Sequence, residues 1–179
     1  GGRAACQDDF ETFDVMRKSQ FLIWDLPLLE SYWQDLQEGK AQGRNLVMEK
    51  YAYMMESTAP KEYEAIATGL PKISEEKQAM VEQIVAIQVG WREEFAEKYP
   101  HLSGQARIIH TSEDTLYDIS FETYLRGELK TYSMQTLVLY GRRIVAFVQE
   151  QKNMTEEIMR YTTAFYGYKT LEDAEQSQK

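Results

Sequence analysis

The sequence predicts an all-α protein, a single compact multi-helix domain of about six to eight helices. Three observations predict it: apolar residues recur at steps of three and four over long windows, all four prolines fall between those windows, and strict period-two alternation is scarce. Steps of three and four put side chains on one face of a helix, whereas a strand needs alternation.

The elements follow in chain order. Phe10, Phe13 and Arg17 mark a first helix, Leu28 to Leu36 a second behind Asp25 and Pro27, and Leu46 to Met55 a third that ends before Pro60. After Pro71, Ser74 with Glu75 and Glu76 supplies a capping hydroxyl and two acids to a helix start. The stripe Met80, Ile84, Ile87, Trp91 and Phe95 carries that helix to Pro100. Ala106 to Thr111 reads as extended but is too short to form a sheet alone. Thr111 to Asp114 has the form of a T-x-x-D helix start, and the stripe Phe121, Leu125, Leu129 and Tyr132, flanked by Tyr117 and Tyr124, continues it. Leu137, Val138, Ile144, Val145 and Val148 form the next stripe. Met154, Ile158, Tyr161, Phe165 and Tyr168 form the last, behind Asn153 and Glu156 at capping-box spacing. Residues 1–171 are expected as one helical domain and 172–179, EDAEQSQK, as a frayed polar tail.

Composition narrows the classes of function. A chain of 179 residues buries roughly 70% of its unfolded surface and needs no disulfide or metal to hold it. The net charge of −9 disfavours nucleic acid and anionic membrane surfaces, both of which are bound through Lys and Arg. No apolar run approaches the roughly 20 residues that span a bilayer. Cys6 is the only cysteine, which suits a reducing cytoplasm. Arg3 stands where a lipoprotein anchor at Cys6 would need an apolar run, and Gly1 and Gly2 in place of an initiator methionine permit a segment of a longer protein.

The candidate site lies between residues 88 and 132, where charges fall beside aromatic and aliphatic residues. At about 100° per residue, Arg92 and Glu94 sit about 80° to either side of the stripe centred on Ile84, and Gln88 about 40°, while Glu93 points outward into solvent. Glu128 falls among apolar residues and must be paired there, because an uncompensated buried carboxylate costs several kcal/mol. Arg92 is its expected partner, as a strut between helices or beside a catalytic acid. Glu122 and Arg126 have i,i+4 spacing, and in a cleft Arg126 would be a fork for carboxylate or phosphate. His110, at a helix start, reads first as a structural histidine; the alternative is a neutral imidazole able to take a proton or bind a metal, with Arg107 helping to hold an anion. The candidates are thus His110 and Glu128 for catalysis and Arg92, Arg126, Arg107 and Trp91 for ligand binding.

Metal and cofactor chemistry has little in its favour. Glu49, Tyr53 and Glu56 share a helix face, but Glu-x-x-His is absent, so Glu49 and Glu56 are only weak magnesium ligands and no cofactor is expected. No P-loop, G-x-G-x-x-G, G-x-S-x-G or H-E-x-x-H occurs.

WREEFAEKYP, IHTSEDT, SFETYLRGEL and TYS, in that order, resemble the hallmark segments of an uncharacterised bacterial family, domain of unknown function 4125, over about residues 40 to 172. The resemblance implies a helical bacterial domain and carries no functional residue with it. The leading expectation is a non-catalytic helical module binding a small polar ligand or a partner protein. The alternatives are a hydrolase or transferase with a Glu or His base and Arg stabilisation, and a regulatory or scaffold domain of a longer protein.

Overall fold

A computed structural model describes residues 10–179, so the expectations on Gly1, Gly2, Arg3 and Cys6 lie outside the described residues. In order the helices are α1 (Phe10–Leu22), α2 (Leu26–Ala41), α3 (Leu46–Thr58), α4 (Pro60–Ile66), α5 (Glu75–Lys98), α6 (Pro100–Gly104), α7 (Phe121–Lys130), α8 (Met134–Gln149), α9 (Met154–Phe165) and α10 (Leu171–Ser177), with 3-10 turns at Ala67–Gly69 and Thr111–Glu113. Among the described residues there are ten α-helices and no strand, more than the six to eight expected. The surplus comes from short helices: Pro60 and Pro100 each end one helix and, at an N-terminal position that needs no N–H, begin another.

The predicted caps close as drawn at most ends. Asp25 accepts from the Leu28 N–H, Ser74 from that of Lys77 and Asn153 from that of Glu156. The start at Thr111 is different, because the helical turn there stops after Glu113 and α7 begins only at Phe121, capped by Ser120. Leu116 and Tyr117 therefore lie exposed in a loop rather than on a helix stripe. The extended stretch 106–111 finds no strand partner; its Ile108 and Ile109 carbonyls instead accept the Phe121 and Glu122 N–H groups at the start of α7.

The core gathers Trp24, Leu28, Val81, Ile84, Leu125, Leu129, Tyr132, Leu137 and Tyr140. Gln88 is buried in it and accepts a hydrogen bond from the Tyr140 hydroxyl at 2.7 Å. On α8 the buried face is Leu137, Tyr140, Ile144 and Phe147, while Val145 and Val148 of the predicted stripe are half exposed. Both α3 and α5 pack on α7. The α3 contact is close, for a Cβ on Gly127 would come within 2.7 Å of Met54 Cγ and 3.0 Å of the Lys50 carbonyl oxygen.

The C-terminal segment is not a frayed tail. Thr170 caps α10, Leu171 and Ala174 pack against Phe95, Tyr99 and Leu102, and the buried Glu175 carboxylate accepts the His101 and Leu102 N–H groups at 2.7 and 2.8 Å. Its polar composition concealed two small apolar contacts and a carboxylate placed at the start of α6. Among the described residues no helix is long and apolar enough to cross a membrane.

Candidate functional site

Helix α7 has two working sides besides its core face. At about 100° per residue, Glu122, Thr123, Arg126, Gly127 and Lys130 share one side, while Phe121, Tyr124 and Glu128 lie opposite. The first side forms one wall of a cleft of about 370 Å³. Tyr53, Glu56 and Ser57 of α3, Gln78 and Glu82 of α5, and Thr111 of the 3-10 turn complete it.

Arg126 organises the cleft. Its Nε and Nη2 donate to the two carboxylate oxygens of Glu82 at 2.7 and 3.1 Å, Nη2 also to Glu122 at 2.6 Å, and Nη1 to the Thr111 hydroxyl at 3.1 Å. Burial alone would lower its pKa, but the bonds from Glu82 and Glu122 raise it above the usual arginine value. Burial pushes the Glu122 carboxyl up, and Arg126 together with the Thr111 N–H holds it lower still than an ordinary glutamate. Across the cleft the Lys130 ammonium meets Glu56 at 3.1 Å and lies 5.7 Å from the Tyr53 ring centre. Burial, with Glu49 nearby, pushes the Tyr53 phenol up to about 12, and its hydroxyl donates to the Pro71 carbonyl. Asp114 ties the loop to the site by accepting from Ser57, the Ser120 N–H and the Thr123 hydroxyl. Burial works against its charge, yet these bonds, with Thr123 foremost, hold the carboxyl below the aspartate range.

Of the predicted site residues, Arg126 and the weak metal candidate Glu56 line this cleft. Glu128 is buried on the opposite side, as its position required, but its partners are Arg17 at 3.0 Å and Lys50 at 3.8 Å rather than Arg92. Burial raises its pKa, and the attraction of Lys50 and Arg17 overcomes this and keeps it ionised below the usual glutamate range. Arg92 instead lies over the Phe121 ring at 4.8 Å. Arg107 covers the Tyr124 ring at 3.8 Å and donates to the Ile119 carbonyl, so it is engaged away from the turn that His110 begins. Trp91 is a core residue packed on Phe147, with its carbonyl taken by the Asn153 amide.

His110 overturns the expectation of a neutral imidazole. Its Nε2 faces a Glu93 oxygen at 2.6 Å and its Nδ1 a Glu113 oxygen at 3.1 Å, and the bond to Glu93 chiefly raises its pKa. Glu93, expected to be merely solvated, is thus the partner that most favours its protonated form. The two weak magnesium candidates have different partners: Glu49 is clamped by both Nε and Nη2 of Arg44, and Glu56 goes to Lys130. Among the described residues no group of three His, Cys, Asp or Glu is placed to hold a metal ion. A Glu or His base beside an arginine needs reach of one reacting atom; Glu128 is enclosed by Arg17 and Lys50, the exposed His110 is engaged by Glu93 and Glu113, and neither lines the cleft.

Sequence reasoning missed Glu82, Lys130, Ser57 and Asp114. A signal for Glu82 existed, since a half-buried Arg126 needs carboxylate partners and Glu82 lies one turn from Gln78 on the polar side of α5. No curated protein and no solved structure matches the chain. Residues 1–176 match the family described as Protein of unknown function (DUF4125), and the chain therefore belongs to that family.

Proposed function

We propose that this protein is a non-catalytic helical module whose α3–α5–α7 cleft binds a small polar molecule bearing an ammonium group, such as an amino acid or short amine. The observation that carries the reading is a cleft of about 370 Å³ whose charged walls are already paired with one another. That volume falls in the range of small-ligand sites, roughly 300 to 1,000 Å³. Walls fixed before the ligand arrives reduce the ordering cost of binding. Three carboxylates, Glu56, Glu82 and Glu122, stand against two cations, Arg126 and Lys130, leaving one negative charge in excess. Glu56 and Glu82 are the exposed members, and they suit an incoming ammonium; Arg126 and Lys130 supply donors for a second, anionic end.

The test is a thermal-shift screen against amino acids, amines, sugars, nucleotides and metal ions, with calorimetry on any hit. Amino acids or amines should raise the apparent stability saturably. Glu56→Gln takes the counter-charge from the buried Lys130 ammonium, so it should lower the unliganded protein's stability equally in every buffer and, separately, weaken the hit about tenfold. A screen without a saturable cationic hit, or a hit indifferent to Glu56→Gln and Glu82→Gln, would overturn the reading.

A further inference from the structure

The opposite side of α7 carries a second polar feature that the cleft does not use. Phe121 and Tyr124 are one turn apart, so their rings are neighbours on the helix surface. The Arg92 guanidinium covers the first at 4.8 Å and that of Arg107 covers the second at 3.8 Å. Lys50 Nζ is 5.1 Å from the same Tyr124 ring. Three cations thus gather over two adjacent rings in a chain whose net charge is −9.

Lys50 is paired with Glu128, but the carboxylates that could neutralise the two guanidiniums are held elsewhere. Glu93 and Glu94 follow Arg92 directly, yet Glu93 is on His110 and Glu94 meets the Asn153 amide. Glu122 follows Phe121 and binds Arg126, and Glu128 is engaged by Arg17 as well as Lys50. Among the described residues Arg92 has no carboxylate partner and donates no hydrogen bond, and Arg107 donates one, to the Ile119 carbonyl. A guanidinium carries five N–H donors, and those of the half-buried Arg92 still reach solvent, where an incoming acceptor can meet them. Burial first, and repulsion from Arg107 second, push the Arg92 pKa down to about 10. A structural strut would have drawn in one of the nearby carboxylates; an arrangement that keeps them away leaves room for an acceptor from outside the chain.

We infer that Arg92 and Arg107 form an anion-binding site over the Phe121 and Tyr124 rings, suited to the planar or tetrahedral oxygens of a carboxylate or phosphate group. The rings hold the guanidinium planes by cation–π contact and leave their edges, where the N–H groups lie, to the anion. The site is separate from the cleft and does not depend on the cleft's having a ligand.

The experiment titrates inorganic phosphate and, in parallel, succinate against the protein at constant ionic strength. Arginine Nε–H NMR signals and thermal stability are read, with chloride as the control anion. The expected result is saturable movement of the Arg92 and Arg107 signals with one of the two anions and a saturable rise in Tm that chloride does not reproduce; which anion saturates identifies the oxygen geometry. Arg92→Met keeps an apolar stem beside the Phe121 ring, so the Tm in chloride should stay close to the wild type's, while the anion effect should weaken at least about tenfold. Arg107→Gln, which leaves the Arg92–Phe121 contact in place, should weaken it likewise and guards against a misfolded first variant. Linear, unsaturating shifts with both anions, or a loss of stability in Arg92→Met that is the same in every buffer, would overturn the inference.

Discussion

His110 shows how two carboxylates override a helix terminus. A neutral imidazole has one N–H, whereas Glu93 and Glu113 present acceptors to both of its nitrogens. The charged ring satisfies both, so its folded pKa is raised above the ordinary histidine value. Its contribution to stability is therefore fully present below the unfolded pKa and is lost as the pH rises through the folded one. Both groups are substantially exposed, which keeps the effect modest. NMR titration of the two histidines, with His101→Gln for assignment, should find His110 titrating above about 6.5 and returning toward that value in Glu93→Gln; an ordinary titration in the wild-type protein would show that the contact does not persist. The sequence exposed the requirement at such residues but not the partner. Glu128, standing among apolar neighbours, had to be paired, but Arg17 is 111 positions away, and nothing local distinguishes it from Arg92. For His110 the helix dipole was visible in the sequence and Glu93, 17 positions away, was not.

At the scale of the element, periodicity and caps located the long helices because those signals are local, while the choice of buried face was settled by neighbours. The α8 stripe drawn through Val145 and Val148 is displaced from the face that Tyr140 and Phe147 bury, since an aliphatic pattern does not say which edge a second helix will cover. The cleft was legible only in Arg126 and, for another role, Glu56, because half of its wall comes from α3, α5 and the turn at Thr111, which only the fold brings to α7. Gly127 offers a test of the α3–α7 contact on which the cleft rests. Replacing an interior helical glycine by alanine ordinarily stabilises a helix by about 0.5 to 1 kcal/mol. At Gly90 of α5, where a Cβ would meet nothing within 4 Å, that gain should appear. At Gly127 the new methyl would meet Met54 at 2.7 Å and, less yieldingly, the Lys50 carbonyl oxygen at 3.0 Å. Gly127→Ala should therefore lose about 1 to 3 kcal/mol. Urea denaturation of the two variants should give opposite signs; equal gains would mean that α3 does not approach α7 this closely. Glu175 provides a second test at this scale, since its carboxylate ties α10 to the start of α6. Glu175→Ala should cost about 1 to 2 kcal/mol, the range of a lost helix cap, by the same measurement.

For the whole molecule, stability against pH follows from which charges folding has already paired. Glu128, Glu122 and Asp114 are each held below their ordinary carboxyl ranges despite burial, the first chiefly by Lys50 and Arg17, the second by Arg126 and the third by the Thr123 and Ser120 bonds. A depressed carboxyl stabilises the fold above its unfolded pKa and loses that contribution as the pH falls through the folded one. The raised His110 acts in the other direction, adding stability as the pH falls from the alkaline side. The net charge of −9 adds a general term of the same sign as His110, because self-repulsion eases as carboxylates begin to protonate. The unfolding free energy should thus rise gently from pH 8 to a maximum at about pH 5 and then fall steeply below about pH 4. The steep acid limb and the gentle neutral limb have different owners, so variants can separate them. Glu128→Gln removes a carboxylate that must be protonated for the acid limb to develop; it should flatten that limb while lowering stability at pH 7, where Arg17 and Lys50 lose their buried counter-charge. Glu93→Gln should flatten the neutral limb and leave the acid limb in place. Urea titrations of the three proteins between pH 3 and 8 would measure both limbs, and a Glu128→Gln acid limb as steep as the wild type's would show that the buried Arg17–Glu128–Lys50 cluster does not control acid unfolding.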